Sequence, residues 1–399
     1  MVIFALAAVL LSPANAAPSA PSAAAKKALA SGIRSYQRLD LQAALSHLDA
    51  AIAAFPGWKT ASGFRAACRQ TLGDAAGARQ DAALAAKLKP VDAQSYAARG
   101  KARLTLREYD GALSDFKAAE EADASSVEGP LGVGSVFSAQ SKMREALKSL
   151  DEAVRVDPRS AAALLLRASV KDRLRDFRGA ADDYGSVIEI NPKFAWAHLY
   201  RGKALRELKD YRGSEQELSG FLDAQPDHED AAYLRSNVRF LLGDYRGVVA
   251  DLTKVISLDP RKGLAYVNRG LARAQLGEKA GALSDLNKAL ELDPSRRDKI
   301  QSAIDAIGTA PAADEAPAPP ARRSAALEPP SEEKGPATVL LEDQGSARAP
   351  RRPKAPAADL DDSLPAPAKA SPDAAPAKRG PHAAPAERNT GEESSQFIQ

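Results

Sequence analysis

Histidines, the cysteine and glycine-rich turns are the residues of this chain that could carry chemistry, and none is arranged to do so. The four histidines, His47, His198, His228 and His382, share no ligand spacing, whereas a zinc site needs three or four donors held at fixed short intervals. Cys68 is the only cysteine, so the chain forms no internal disulfide. Steps of 34 residues from it land on Ala102, Val136, Val170, Ala204, Val238 and Ala272, which marks it as a small core residue and not a nucleophile. Gly129, Gly132 and Gly134 are dense enough to suggest a phosphate loop, but they follow no strand and lack its Gly-Lys-Ser/Thr ending. No catalytic residue, metal ligand or cofactor-binding residue is therefore expected, and the chain reads as a non-enzyme.

One charge pattern recurs. Arg65, Arg99, Arg167, Arg201, Arg235 and Arg269 are each followed 16 residues later by an acid: Asp81, Asp115, Asp183, Glu217, Asp251 and Asp285. At the two other steps of the same period both members are missing, as Ser31 with His47 and as Val133 with Ser149. Residues that far apart become neighbours only if the chain doubles back midway, so the pattern predicts six ion pairs joining the two arms of helical hairpins. Their reading is structural, because a buried charge must be paired.

The elements that position these pairs follow from the period. Pro158, Pro192, Pro226, Pro260 and Pro294 are 34 residues apart, and stepping backwards reaches Ala124, Pro90 and Pro56. Eight units result: 25–58, 59–92, 93–126, 127–160, 161–194, 195–228, 229–262 and 263–296. Position 8 of the unit is always small (Gly32, Ala66, Gly100, Gly134, Ala168, Gly202, Ser236, Gly270), as two closely approaching helices require. Position 24 is usually large and apolar (Leu48, Phe116, Leu150, Tyr184, Leu218, Leu252, Leu286), with Ala82 the exception. Turn signals such as Leu242-Gly243-Asp244 lie between them, and the proline stops the second helix.

These columns resemble the tetratricopeptide repeat family, with a small residue at 8, Ala at 20, an apolar or aromatic residue at 24 and Pro at 32. Residues 263–294 match best, through Tyr266, Gly270, Leu276-Gly277, Ala282, Leu286, Ala289, Leu290 and Pro294. The departures are an aromatic at position 4 only in Tyr96 and Tyr266, and Arg where the family has Leu at position 7. The resemblance implies an all-α fold, a right-handed α-solenoid of eight helix-turn-helix repeats, working as a protein-interaction scaffold. It also implies that positions 2, 5, 9, 12 and 13 line a concave groove. In units 6 to 8 these are Trp196, Leu199, Lys203, Arg206, Tyr233, Asn237, Phe240, Leu264, Val267 and Leu271, an apolar stripe suited to an extended peptide or a helix of a protein partner. The family's Lys and Asn clamp for a C-terminal carboxylate is not evident.

Ends and joints complete the reading. Met1 to Leu11 is apolar and Ala14-Asn15-Ala16 has a cleavage pattern, which predicts a signal peptide over 1–16, a linker over 17–24, and a periplasmic or cell-envelope location. The first residues carry no Lys or Arg, and Pro13 breaks the run before the ~17 residues a membrane span requires. Ile300, Ala303, Ile304 and Ile307 predict an amphipathic capping helix over 297–308. The glycines of unit 4 predict a softer joint between units 1–3 and 4–8. From 309 onward, 39 of 91 residues are Ala or Pro, the composition of a disordered tail, with Thr338 to Leu341 and Phe397-Ile398 as apolar islands. Units and cap carry 44 basic and 38 acidic residues and the tail 11 and 14, too balanced for a nucleic-acid partner. Alternatives to a transient scaffold are a permanent structural subunit using the convex face and tail, or an accessory subunit of an enzyme complex.

Overall fold

The computed structural model describes residues 20–309, and the expected signal segment and tail lie outside them. Among the described residues all regular structure is helical, and no helix is long and apolar enough to cross a membrane. The helices pair as hairpins. The first is α1 (Ala23–Gln37) with α2 (Leu41–Ala54), the second α3 (Lys59–Thr71) with α4 (Ala75–Ala85), and the third α5 (Ala93–Thr105) with α6 (Tyr109–Ala122). The fourth joins α7 (Glu128–Ala139) to α8 (Met143–Val156), and the fifth α9 (Ala161–Arg173) to α10 (Phe177–Ile190). Next come α11 (Ala195–Glu207) with α12 (Tyr211–Ala224), α13 (Glu229–Leu241) with α14 (Tyr245–Leu258), and α15 (Gly263–Gln275) with α16 (Lys279–Leu292). After a 3₁₀ turn, α17 (Arg297–Thr309) lays Ile300 and Ile304 against Val267, Leu286 and Ala289 of the last hairpin.

Every hairpin turns in the same way. Position 15 has a left-handed backbone in all eight: Leu39, Gly73, Arg107, Ser141, Arg175, Lys209, Gly243 and Gly277, with φ between 58 and 82°. The next amide then reaches back five residues to a carbonyl of the first helix, as Asp244 N does to Arg239 O at 2.9 Å, which is the bond that closes a Schellman stop. Where position 16 is Asp it also caps the second helix: Asp40, Asp74, Asp176, Asp210 and Asp244 accept from an amide three residues on.

Within a hairpin the small position 8 meets the large position 24. A Cβ on Gly32 would lie 2.7 Å from Leu48 Cγ, and one on Gly134 2.6 Å from Leu150 Cγ. The glycines of unit 4, expected to soften a joint, are packing positions. A Cβ on Gly132 would fall 2.0 Å from the Phe116 ring, and one on Gly129 2.7 Å from Glu120 Cβ. These glycines let α7 close tightly on the preceding unit, and α7 is buried over most of its length.

Candidate interaction groove

The predicted charge pairs are all present. The six arginines at position 7 reach the position-23 carboxylates of their own hairpins at 2.6–2.8 Å. In five of the six the contact is bidentate, as where Arg65 Nε and Nη2 donate to both oxygens of Asp81. The six acids are 2–9% exposed, so each charge depends on its partner for solvation. Hydrogen bonding to these acids is the main cause that raises the guanidinium pKa of Arg65, Arg99 and Arg167.

A second cation was not foreseen. Arg69, Arg103, Lys171, Arg239 and Arg273, all at position 11, reach the same acids at 2.7–3.0 Å. The signal was available at the same period: each of these five units has Gly at position 19 (Gly77, Gly111, Gly179, Gly247, Gly281), and a Cβ there would stand within about 3.2 Å of the crossing arginine stem at Arg69, Arg103, Arg239 and Arg273. Unit 6 has Leu205 at position 11, and its longer Glu217 instead takes His198 Nδ1 at 2.7 Å. The position-7 arginines also reach back one unit, Arg65 to Asp49 at 2.8 Å and Arg167 to Asp151 at 3.0 Å. The pairs thus form a charged ladder within six hairpins that extends across units 1–2 and 4–5, which accounts for these groups structurally.

The concave positions divide into two halves. In units 1 to 5 the groove is filled by the chain itself. Tyr36 and Gln37, at positions 12 and 13 of unit 1, cross to the facing units: Lys101 Nζ lies 4.9 Å from the Tyr36 ring centre, and Gln37 Nε2 donates to Glu128 Oε1 at 2.9 Å. Asn191 Nδ2 donates to Arg38 O, and α1 packs on α9. Small residues permit this curvature, for α3 lies directly along α5 where a Cβ on Gly63 would come 2.3 Å from Ala98 O. In units 6 to 8 position 5 carries Leu199, Tyr233 and Val267, position 2 of units 6 and 8 carries Trp196 and Leu264, and the first helices stand farther apart. That half stays open. Beside it Arg173, Arg175, Lys203 and Arg206, with Asp172, Glu207, Phe177 and Leu234, line a cleft of about 450 Å³.

Models of the tetratricopeptide repeat match residues 134–193, 167–229 and 263–296. Residues 134–229 and 263–296 are tetratricopeptide repeats. Solved structures agree on the fold: the Cut9–Hcn1 hetero-tetramer of the APC/C is similar with a TM-score of 0.50 at 12% identity, over 70% of this chain and 55% of that one. YrrB, described as a TPR protein with an unusual peptide-binding site, is similar at 18% identity and a TM-score of 0.45, over 47% of this chain and 97% of that one. MamA from Desulfovibrio magneticus RS-1 is similar at 19% identity and a TM-score of 0.40, over 43% of this chain and 96% of that one. No curated protein matches the chain by sequence. Tetratricopeptide repeats make the array a protein–protein interaction scaffold.

Half of the expected groove set lies inside the array. Trp196, Leu199, Tyr233, Leu264 and Val267 are buried and pack between units. The Trp196 ring centre lies 5.3 Å from that of Phe221, tilted, and 5.6 Å from that of His228, edge to face, and the Tyr233 hydroxyl accepts from Asn268 Nδ2 at 3.0 Å. The larger side chains at positions 2 and 5 therefore act as spacers. Lys203 is exposed, and Arg206, Asn237, Phe240 and Leu271 are partly so; they are the members of the set that a ligand can touch. The neighbouring Leu241 and Leu242, at positions 13 and 14 of unit 7, are 53% and 39% exposed and stood outside the expected set, although position 13 is one of the groove positions. Cys68 is buried, its thiol donating to Leu41 O at 3.3 Å, and burial pushes its pKa up to about 12.

Proposed function

We propose that this array is a non-catalytic scaffold of the cell envelope that holds an extended peptide or helix of a partner protein in the open half of its concave face. One observation carries the reading: units 1 to 5 fill their own groove through Tyr36 and Gln37, whereas units 6 to 8 leave Phe240, Leu241 and Leu271 at least partly accessible beside Lys203 and Arg206. Apolar anchors within a polar rim are what a peptide-binding surface needs. Export rests on the apolar start and the Ala14-Asn15-Ala16 pattern.

The test is affinity capture of partners from envelope fractions with the full chain and with a Phe240→Ala, Leu271→Ser variant. A partner held by the wild type and lost by a variant of equal secondary structure supports the groove; equal capture rejects it. N-terminal sequencing of the mature chain checks export, with Ala17 as the expected first residue.

A further inference from the structure

The basic cleft at units 5 to 7 has a candidate ligand within the same chain. Arg173, Arg175, Lys203 and Arg206 outnumber Asp172 and Glu207 around it. Arg206 is paired with Glu207 at 2.6 Å, but among the described residues neither Arg175 nor Lys203 has a carboxylate within ion-pair reach. Their charged ends lie over aromatic faces, Arg175 at 5.4 Å from the Phe177 ring centre and Lys203 at 5.6 Å from that of Tyr200. Apolar surface adjoins the cations: Leu174, Leu208, Leu241 and Leu242, at the ends of α9, α11 and α13, are all 36–53% exposed. A ligand fitting both needs two or three branched apolar side chains followed by acids.

The sequence beyond residue 309 holds such a segment, Thr338-Val339-Leu340-Leu341-Glu342-Asp343. It is the larger apolar island of a stretch that carries 11 basic and 14 acidic residues. We propose that residues 338–343 dock in the cleft between units 5 and 7, with Val339, Leu340 and Leu341 on the leucine ledge and Glu342 and Asp343 against Arg175 and Lys203. Reach does not oppose it. The 28 residues between Thr309 and Thr338 can span at most about 100 Å, while the cleft lies one to three units from α17. A tether of that kind supplies an effective concentration on the order of a millimolar, so a segment with intrinsic affinity of only tens of micromolar occupies the cleft for most of the time. The segment then competes with any partner extending over Lys203 and Arg206. The inference rests on the open groove described above, but its cleft and residues are separate from Phe240 and Leu271.

The probe is a fluorescein-labelled synthetic peptide of residues 334–346, titrated by anisotropy into three full-length chains. A tail variant, Leu340→Ser with Leu341→Ser, Glu342→Gln and Asp343→Asn, has its own segment disabled and should bind the peptide at tens of micromolar. The wild type should bind it at least fivefold more weakly, through competition with its own segment. The tail variant carrying also Lys203→Glu and Arg206→Glu, with an unchanged circular-dichroism melt, should lose the binding at least tenfold. Absence of binding to the tail variant, equal binding by wild type and tail variant, or binding that survives the charge reversal overturns the proposal. Loss of partner capture in the Phe240→Ala, Leu271→Ser variant reports on the groove independently, so either reading can fail alone.

Discussion

Lys101 Nζ lies 2.9 Å from Glu128 Oε2 with the two side chains only 8% and 6% exposed, and the two residues belong to different units. The pair sits where Tyr36 and Gln37 of unit 1 cover it. Burial alone lowers the Lys101 pKa, but attraction to Glu128 and Tyr36 overcomes it and the pKa is raised. Removing one partner leaves a buried charge: Lys101→Met or Glu128→Gln should cost about 3–5 kcal/mol, and the double variant Lys101→Met, Glu128→Leu much less than the sum. Denaturant titration of the three chains measures this. Because the folded pKa lies above the ordinary 10.5, the stabilisation is complete below that pH and lost as pH rises through the folded value.

The charged ladder makes a contrasting prediction about location. Arg99→Met should destabilise the array by about 3 kcal/mol, because Asp115 is buried and would keep only Arg103. Arg155→Met, which breaks the solvent-exposed Arg155–Glu152 pair, should leave the melting temperature unchanged. Equal effects of the two substitutions would refute the distinction.

Turn geometry predicts a gain. Lys209 holds φ at 63° with a side chain, whereas Gly243 holds 75° at the equivalent position without one. Lys209→Gly should stabilise by roughly 0.5–1 kcal/mol and Gly243→Ala destabilise by about 1 kcal/mol, since only glycine enters the left-handed region freely. Thermal melts of the single variants decide it.

Cys68 reports on folding. With its pKa pushed from 9.0 to about 12, the thiolate fraction near neutral pH falls roughly a thousandfold, and reaction with an aromatic disulfide reagent should await unfolding. A raised thiol pKa stabilises the fold fully below pH 9, and that contribution is lost between pH 9 and 12. Stoichiometric labelling of the native chain within minutes at pH 8 would contradict the buried site.

What the sequence made legible was whatever recurs. Position 7 and position 23 vanish together at Ser31 with His47 and at Val133 with Ser149, and that joint loss reports contact without any alignment. The position-11 cations recur with the position-19 glycines in five units, but unit 6 keeps Gly213 beside Leu205, and their role needs the path of a side chain across a neighbouring backbone. The division of the groove has no period at all. It depends on Gly63 and Ala97 in one half and on Trp196, Leu199 and Tyr233 in the other, that is, on summed side-chain volume setting the curvature. Trp196 and Tyr233 were read as ligand contacts for the same reason: position gives the face, and only the spacing of neighbouring helices tells whether that face is covered.

The crossing of α1 changes how the array should fold. A linear stack exchanges contacts only between neighbours, so its ends fray independently and its stability adds unit by unit. Here Gln37 bonds a residue 91 positions away and Arg38 one 153 positions away, closing a ring of units 1 to 5. Forming that ring costs loop entropy before its contacts are made, so docking of the first hairpin should come late in folding and its release should be the first step of unfolding. Until that release, units 1 to 5 melt as one cooperative block, while units 6 to 8 keep the looser, stepwise behaviour of a simple stack.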